Sequence, residues 1–362
     1  MNSSTAHLDL ATAQRIHVVG VGGPGMSAIA QVLVEMGHDV SGSDIKESET
    51  IDRLRAIGVV INIGHDVGVV RQCDAVTAST AIPVTNIELV EALSIGVAVL
   101  TRAQMLAAIC RQKLSVGVAG THGKTTTSCM IAHMLNESGV NFTAFLGGIS
   151  SNFESNYFHK DDGVSLFTQN IMVVEADEFD RSFLQLSPDI AIVTSTDADH
   201  LDIYGEAEEV KKSFVEFVHK LQYNGIAILN DQLDLKYEGN CIRYGLEADS
   251  AANYSAIKIE DHHFCFDYRF KNNSARVLNA LPGFHNIENA CAAITACLCL
   301  KLPLKPLLEA AANFKGVKRR FETIFSNEQY TVIDDYAHHP TELRVCIKSV
   351  KELYPNKKLT GI

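Results

Sequence analysis

The stretch GVAGTHGKTTTSCM, residues 117–130, places Gly120, Thr121, His122, Gly123, Lys124, Thr125 and Thr126 between an apolar strand-like run and a helix-compatible one. Backbone N–H groups of such a loop cradle phosphates, a lysine reaches the β- and γ-oxygens, and a threonine hydroxyl ligates Mg²⁺. The pattern departs from G-x-x-x-x-G-K-[ST] at one position, since Val118 stands where the first glycine would be. Two later strand-like runs end in groups of the kind such a site needs. Glu175, with Asp177 and Glu178 behind it, closes one in VVEADEFD, and Asp199 and His200 follow the other in TSTDADHLD. Mg²⁺ prefers oxygen ligands, which suits Glu175 better than His200. Either segment alone also reads as a helix cap or a solvated turn. A second loop, VVGVGGPGMSAIA, matches G-x-G-x-x-G through Gly20, Gly22 and Gly25, and Asp44 ends the next strand-like run. Glycines there let the backbone approach a pyrophosphate at a helix N-terminus, the arrangement of dinucleotide sites. A dehydrogenase has no use for a second phosphate loop, so two phosphorylated ligands are expected.

Both loops need a parallel sheet behind them. RIHVVG, GHDVSGSD, GVVINI, DAVTAST and GVAVL read as strands of a first α/β unit, and LSVGVAG, IMVVEADE and DIAIVTS as strands of a second. The helix-like RAQMLAAICRQ joins them near residue 106, and the basic stretch NFKGVKRRFE opens a third segment. In that segment one strand, YTVIDDY, one helix and a final strand in which the chain stops are expected, forming a parallel β-α-β fragment. The expected domains are therefore 1–106, 107–318 and 319–362. At 362 residues with 46% apolar content the chain supports a large core. Its net charge of −12 disfavours a nucleic-acid partner and leaves room for local pockets that take small anions. Nine cysteines without metal-like or paired spacing suggest reduced thiols in a cytoplasmic protein. No stretch is long and apolar enough for a membrane span or secretion signal, so no membrane partner is expected.

GVGGPGMSAIA, SGSD, AGTHGKTTT, EADEFDRSF, DADHLDIYG, LPGFHNIENACAA, GVKRRFE and DDYAHHPTE occur in that order from about residue 15 onward. In this combination the chain resembles the Mur ligases, the ATP-dependent amino-acid ligases of peptidoglycan synthesis. The resemblance implies a Rossmann-like UDP-binding domain, a central P-loop ATPase α/β domain, and the start of a third Rossmann-like α/β domain. It implies ATP and Mg²⁺ as cofactors, with UDP-N-acetylmuramate and L-alanine as the partners joined. It places Gly22, Gly23 and Gly25 on the UDP pyrophosphate, Asp44 toward the uridine, and His65 and Ser79 in the same pocket. It assigns Gly120 to Thr126 to ATP, Thr125 to Mg²⁺, and Glu175 and His200 to a second Mg²⁺. His285, Asn286 and Asn289 would face the adenosine, Arg320 the γ-phosphate, and Asp335 the ribose.

Some positions depart from that pattern. Phe179 and Arg181 replace smaller or polar residues in the EADE segment, and neither Lys211 nor Lys212 aligns with the modified lysine that some relatives carry. His338 and His339 also read as strand-ending residues. About 40 residues of the third domain are present, from which tight ATP binding and amide formation by this chain are not expected. A ligase adding an intact peptide to the same UDP-sugar and a nucleotide-sensing regulator are the competing readings; a regulator would not need the acid and histidine at adjacent strand ends.

Overall fold

The structure is a computed structural model and describes residues 8–12, 14–161, 170–178, 181–197, 207–246, 249–260 and 263–361. Its contacts divide the chain into two units, Met1–Lys113 and Leu114–Ile362.

In the first unit β-branched runs alternate with amphipathic helices: β1 (Arg15–Val19), α1 (Pro24–Glu35), β2 (Asp39–Asp44), α2 (Glu49–Ala56), β3 (Val60–Ile63), α3 (Val67–Val70), β4 (Ala75–Ala78), α4 (Ile87–Ile95), β5 (Ala98–Thr101) and α5 (Arg102–Cys110). The five strands are those expected from the sequence. They form a parallel sheet in the order β3-β2-β1-β4-β5. β1 pairs with β2 on one side and β4 on the other, so crossovers leave it in opposite directions and a crevice opens at its carboxyl end. The glycine loop 20–25 lies at that end.

The second unit holds a ten-stranded sheet. Its elements begin with β6 (Leu114–Ala119), α6 (Lys124–Glu137), β7 (Phe142–Ser150), β8 (Ser155–Lys160), β9 (Ile171–Glu175), β10 (Ile190–Val193), α7 (Ala207–His219), β11 (Ile226–Asn230) and β12 (Cys241–Gly245). An antiparallel extension follows in β13 (Ala252–Glu260), β14 (His263–Phe270) and β15 (Asn273–Asn279), then α8 (Phe284–Cys299) and α9 (Leu304–Asn313). β6 is central and parallel to both neighbours, with Val118 level with Glu175 of β9 and Ala119 level with Val193 of β10. The three strand ends thus reach one height, which brings the loops after them together. α6 and α8 pack against each other and are buried along most of their length.

The last segment differs from the expected parallel β-α-β fragment. β16 (Glu322–Ser326) and β17 (Thr331–Asp334) form an antiparallel hairpin, followed by α10 (Pro340–Leu353), and residues 359–361 form no strand. The Asn327 side chain accepts the N–H groups of Gln329 (2.9 Å) and Tyr330 (2.6 Å), a tight turn that reverses the chain at once. Antiparallel pairing needs only such a turn, whereas a parallel partner needs a long crossover. Phe321 and Leu353 are buried in the core of the second unit, and Ile333, Cys346 and Val350 pack against it. That apolar contact holds the segment on the sheet.

Candidate active site

The phosphate loop is shaped by the strand beside it. Ser195, just past β10, accepts the Thr121 N–H on its carbonyl (3.2 Å) and the His122 N–H on its hydroxyl (2.7 Å), and Thr121 Oγ1 donates to the Asp197 carbonyl (2.9 Å). Thr194 donates its hydroxyl to the His122 carbonyl. Gly123 sits at φ +85°, and a Cβ there would lie 2.6 Å from Asn289 Oδ1, so only glycine fits. α6 starts at Lys124 with no side-chain cap, which leaves its N-terminal turn as an anion-binding end.

Lys124 Nζ donates to Glu178 Oε1 (2.8 Å) and to the Gly120 carbonyl (2.7 Å). Glu178 is buried, which makes it the resting partner of the lysine. Glu175 accepts the Thr125 hydroxyl (3.0 Å) on one oxygen and the Gly147 N–H (2.8 Å) on the other. Burial raises its pKa, opposed by Lys124, Thr125 and the Gly147 N–H. The Thr125 hydroxyl and Glu175 carboxylate make a hard oxygen pair that suits Mg²⁺, and a nearby cation would offset the desolvation of Glu175. Asp199, His200 and Phe179 lie outside the described residues. Arg181 has φ +57°, is partly exposed and approaches Glu209 (3.9 Å). Lys212 pairs with Glu209 (2.7 Å), and Lys211 lines a small surface cavity beside it.

These groups open into a cleft of about 680 Å³ lined also by Asp177, Asn230, Tyr244, His285, Asn286, Glu288, Asn289, Arg320, Asp335, His338 and Glu342. Asn289 Oδ1 accepts the Thr127 hydroxyl (3.2 Å), Asn289 donates to Asn286 Oδ1 (3.0 Å), and Asn286 donates to the Pro282 carbonyl (2.6 Å). They tie α8 to α6 and line the cleft as well. Burial lowers the His285 pKa to about 4, so the ring is neutral at pH 7. Asp335 accepts the Phe321 N–H (2.7 Å) and the Ala337 N–H (2.8 Å), and burial raises its pKa. Arg320 Nη1 lies 3.8 Å from Glu342. Glu342, on α10, also takes the His122 ring nitrogen Nδ1 at 2.9 Å. The sequence placed Glu178 among the acids behind Glu175 but not as the partner of Lys124, and it gave Asp197 and Glu342 no role, although each lies within a motif, because their contacts with the loop are made only in the fold.

In the first unit, the Gly22 N–H donates to Asp44 Oδ2 (2.8 Å), so Asp44 holds the loop that leads to α1. Gly23 is the N-cap of α1 without a side-chain partner, and the Cβ of a residue replacing Gly25 would lie 3.1 Å from the Arg102 side chain. His65 Nδ1 is 2.8 Å from Glu88, and Ser79 Oγ accepts the Ala81 N–H (3.1 Å). Glu88, missed from sequence, is fully buried at the start of α4. It accepts Ser43 Oγ–H (2.6 Å) and the Asp66 N–H (2.9 Å) and faces His17 (3.4 Å). None of the described helices is long and apolar enough to cross a membrane.

A parallel sheet with an uncapped phosphate loop on its central strand, a lysine at the helix start and a carboxylate on the next strand end define a P-loop nucleotide-dependent enzyme. Three stretches match protein-family models: the Mur ligase family catalytic domain over residues 15–114, the Mur ligase middle domain over 118–297, and the Mur ligase glutamate ligase domain over 319–362. The UDP-N-acetylmuramate–L-alanine ligase of Geobacter sulfurreducens is 39% identical over 354 residues, which span 96% of this chain and 75% of that one. Among solved structures, UDP-N-acetylmuramate-alanine ligase from Thermotoga maritima superposes with a TM-score of 0.72 at 30% identity, covering 95% of this chain and 79% of that one. A murein peptide ligase from Psychrobacter arcticus superposes at 0.73 with 26% identity, covering 95% and 77%. The chain belongs to the Mur ligase family.

Proposed function

We propose that this protein joins L-alanine to the lactyl carboxylate of UDP-N-acetylmuramate at the expense of ATP, in the cytoplasm. The observation that carries the reading is the 39% identity to an L-alanine ligase across nearly the whole chain, with the phosphate loop and Glu175 in register. The substrate carboxylate attacks the γ-phosphorus of ATP, the β–γ bridge breaks, and an acyl phosphate and ADP result. The amine of L-alanine then attacks the acyl carbon, phosphate leaves, and the amide forms with loss of a proton.

The residues divide this work. Loop amides from Gly120 to Thr126 bind the phosphates, and Lys124 turns from Glu178 to the transferring oxygens, where Arg320 adds a second positive charge. Thr125 would hold Mg²⁺ beside the ATP phosphates and Glu175, with His200, a second Mg²⁺, each supplying neutralisation of phosphate charge when bound. His285, Asn286 and Asn289 bind the adenosine and Asp335 the ribose. In the first unit Gly22, Gly23 and Gly25 take the UDP pyrophosphate, Asp44 the uridine side, and His65 and Ser79 the remaining pocket.

The similarity to a murein peptide ligase favours a peptide as the alternative amine donor. ADP release by an enzyme with a whole third domain, measured with UDP-N-acetylmuramate and either L-alanine or a tripeptide, separates the two, and L-alanine is expected to support turnover. Turnover with the tripeptide alone would refute this reading. Calorimetric titration tests the first unit separately, and failure to bind UDP-N-acetylmuramate would overturn its assignment.

A further inference from the structure

At the mouth of the cleft three side chains from distant parts of the chain converge: His122 of the phosphate loop, Asp197 after β10, and His339 at the N-cap of α10. One donor atom from each lies within 4.8 Å of the others. The His122 and His339 ring centroids are 4.9 Å apart, and His122 Nε2 is 3.1 Å from Asp197 Oδ2.

Glu342 accepts the His338 N–H (3.1 Å) and the His339 N–H (3.3 Å) and faces His122 Nδ1 at 2.9 Å, which fixes the His122 ring and leaves Nε2 for another partner. That nitrogen is buried and makes no hydrogen bond, although the Asp197 carboxylate faces it. Nε2 and the Asp197 carboxylate, 3.1 Å apart, are thus two donors that a cation placed between them would satisfy together. A carboxylate that fixes one imidazole nitrogen and frees the other is how metal-binding histidines are oriented.

We propose that His122, Asp197 and His339 form a site for a borderline divalent transition metal, Zn²⁺ foremost, using residues other than Thr125 and Glu175, and that its occupation fastens α10 to the phosphate loop. Two imidazoles and one carboxylate suit Zn²⁺ better than Mg²⁺, and three protein ligands leave a fourth position for water or a phosphate oxygen. With metal–ligand bonds of about 2.0–2.2 Å, tetrahedral donors stand about 3.3–3.6 Å apart. The 4.8 Å cluster reaches this by small side-chain shifts. Coordination by His339 gives up a weak helix cap, because its Nδ1 accepts the Thr341 N–H at 3.3 Å and either ring nitrogen can bind metal only by losing that bond. This inference goes beyond the ligase reading and does not depend on it.

Calorimetric titration of Zn²⁺ into the 362-residue chain without nucleotide tests the site, alongside His339→Ala, Asp197→Asn and, as a control, His338→Ala. One Zn²⁺ per chain is expected, with affinity falling about tenfold or more in the first two variants and unchanged in the control. Circular dichroism establishes that each variant is folded, and either of the first two suffices if the other is not. Zn²⁺ should also slow tryptic cleavage around Lys318–Arg320 in the parent but not in His339→Ala. Absence of stoichiometric binding, or equal affinity in both ligand variants, would overturn the site; binding without protection would overturn the fastening of α10.

Discussion

Lys124 and Glu178 form the pair on which the resting site depends, and replacing them one at a time and together measures that dependence. Nζ and Oε1 are 2.8 Å apart, with side chains 13% and 2% exposed. Lys124→Met leaves a carboxylate buried without its cation, and removal of one partner from a buried pair costs about 3–5 kcal/mol. Glu178→Gln is milder, on the order of 1–2 kcal/mol, because Lys124 keeps the Gly120 and Thr121 carbonyls as acceptors. Lys124→Met/Glu178→Gln removes both charges and should cost little more than the milder single change, which gives a coupling of about 3–4 kcal/mol. The chain has no tryptophan, so urea unfolding is followed by far-UV circular dichroism, using the transition that shifts with ATP. ATP binding should be lost in both proteins lacking Lys124 and retained in Glu178→Gln. Additivity within about 0.5 kcal/mol would refute the pairing, and retained ATP affinity in Lys124→Met would refute the role of the lysine.

Glu175→Ala should lower the rate of ADP release by two orders of magnitude or more while UDP-sugar affinity changes less than about twofold, because charge develops only on the transferring group; an unchanged rate would reduce Glu175 to an acceptor for Thr125 and Gly147. In the first unit the Glu88 pKa is about 2 against 4.5 unperturbed: burial raises it, and hydrogen bonds from His17, Ser43 and the Asp66 N–H more than reverse that. The folded value is the lower one, so this stabilisation is complete above about pH 4.5 and is lost as pH falls toward 2. Thermal unfolding across that range should show the loss in the parent and a shallower one in Glu88→Gln. Leu353→Asp, which puts a charge into the core of the second unit, should speed proteolysis after residue 320 while leaving the rest of the sheet protected; an unchanged pattern would mean that the packing of α10 does not hold the segment.

Every strand of the first unit, the strands β6, β9 and β10, and both glycine loops were legible in the chain itself. Their signals are local: β-branched runs, a glycine where the backbone takes positive φ, a lysine one residue past it. The hairpin of β16 and β17 was not legible, because ETIFS reads equally as linker or edge strand until Asn327 turns the chain and Phe321 enters a core built by α8 and β15. Nor were the partners that set the chemistry of the loop. Lys124 meets Glu178 across 54 residues and His122 meets Glu342 across 220, and no spacing in the sequence encodes either meeting. Local backbone preference acts over a few residues, whereas the protonation and orientation of a buried side chain depend on whatever the folded chain brings within about 4 Å of it. For Lys124 and His122 only the tertiary structure supplies those neighbours.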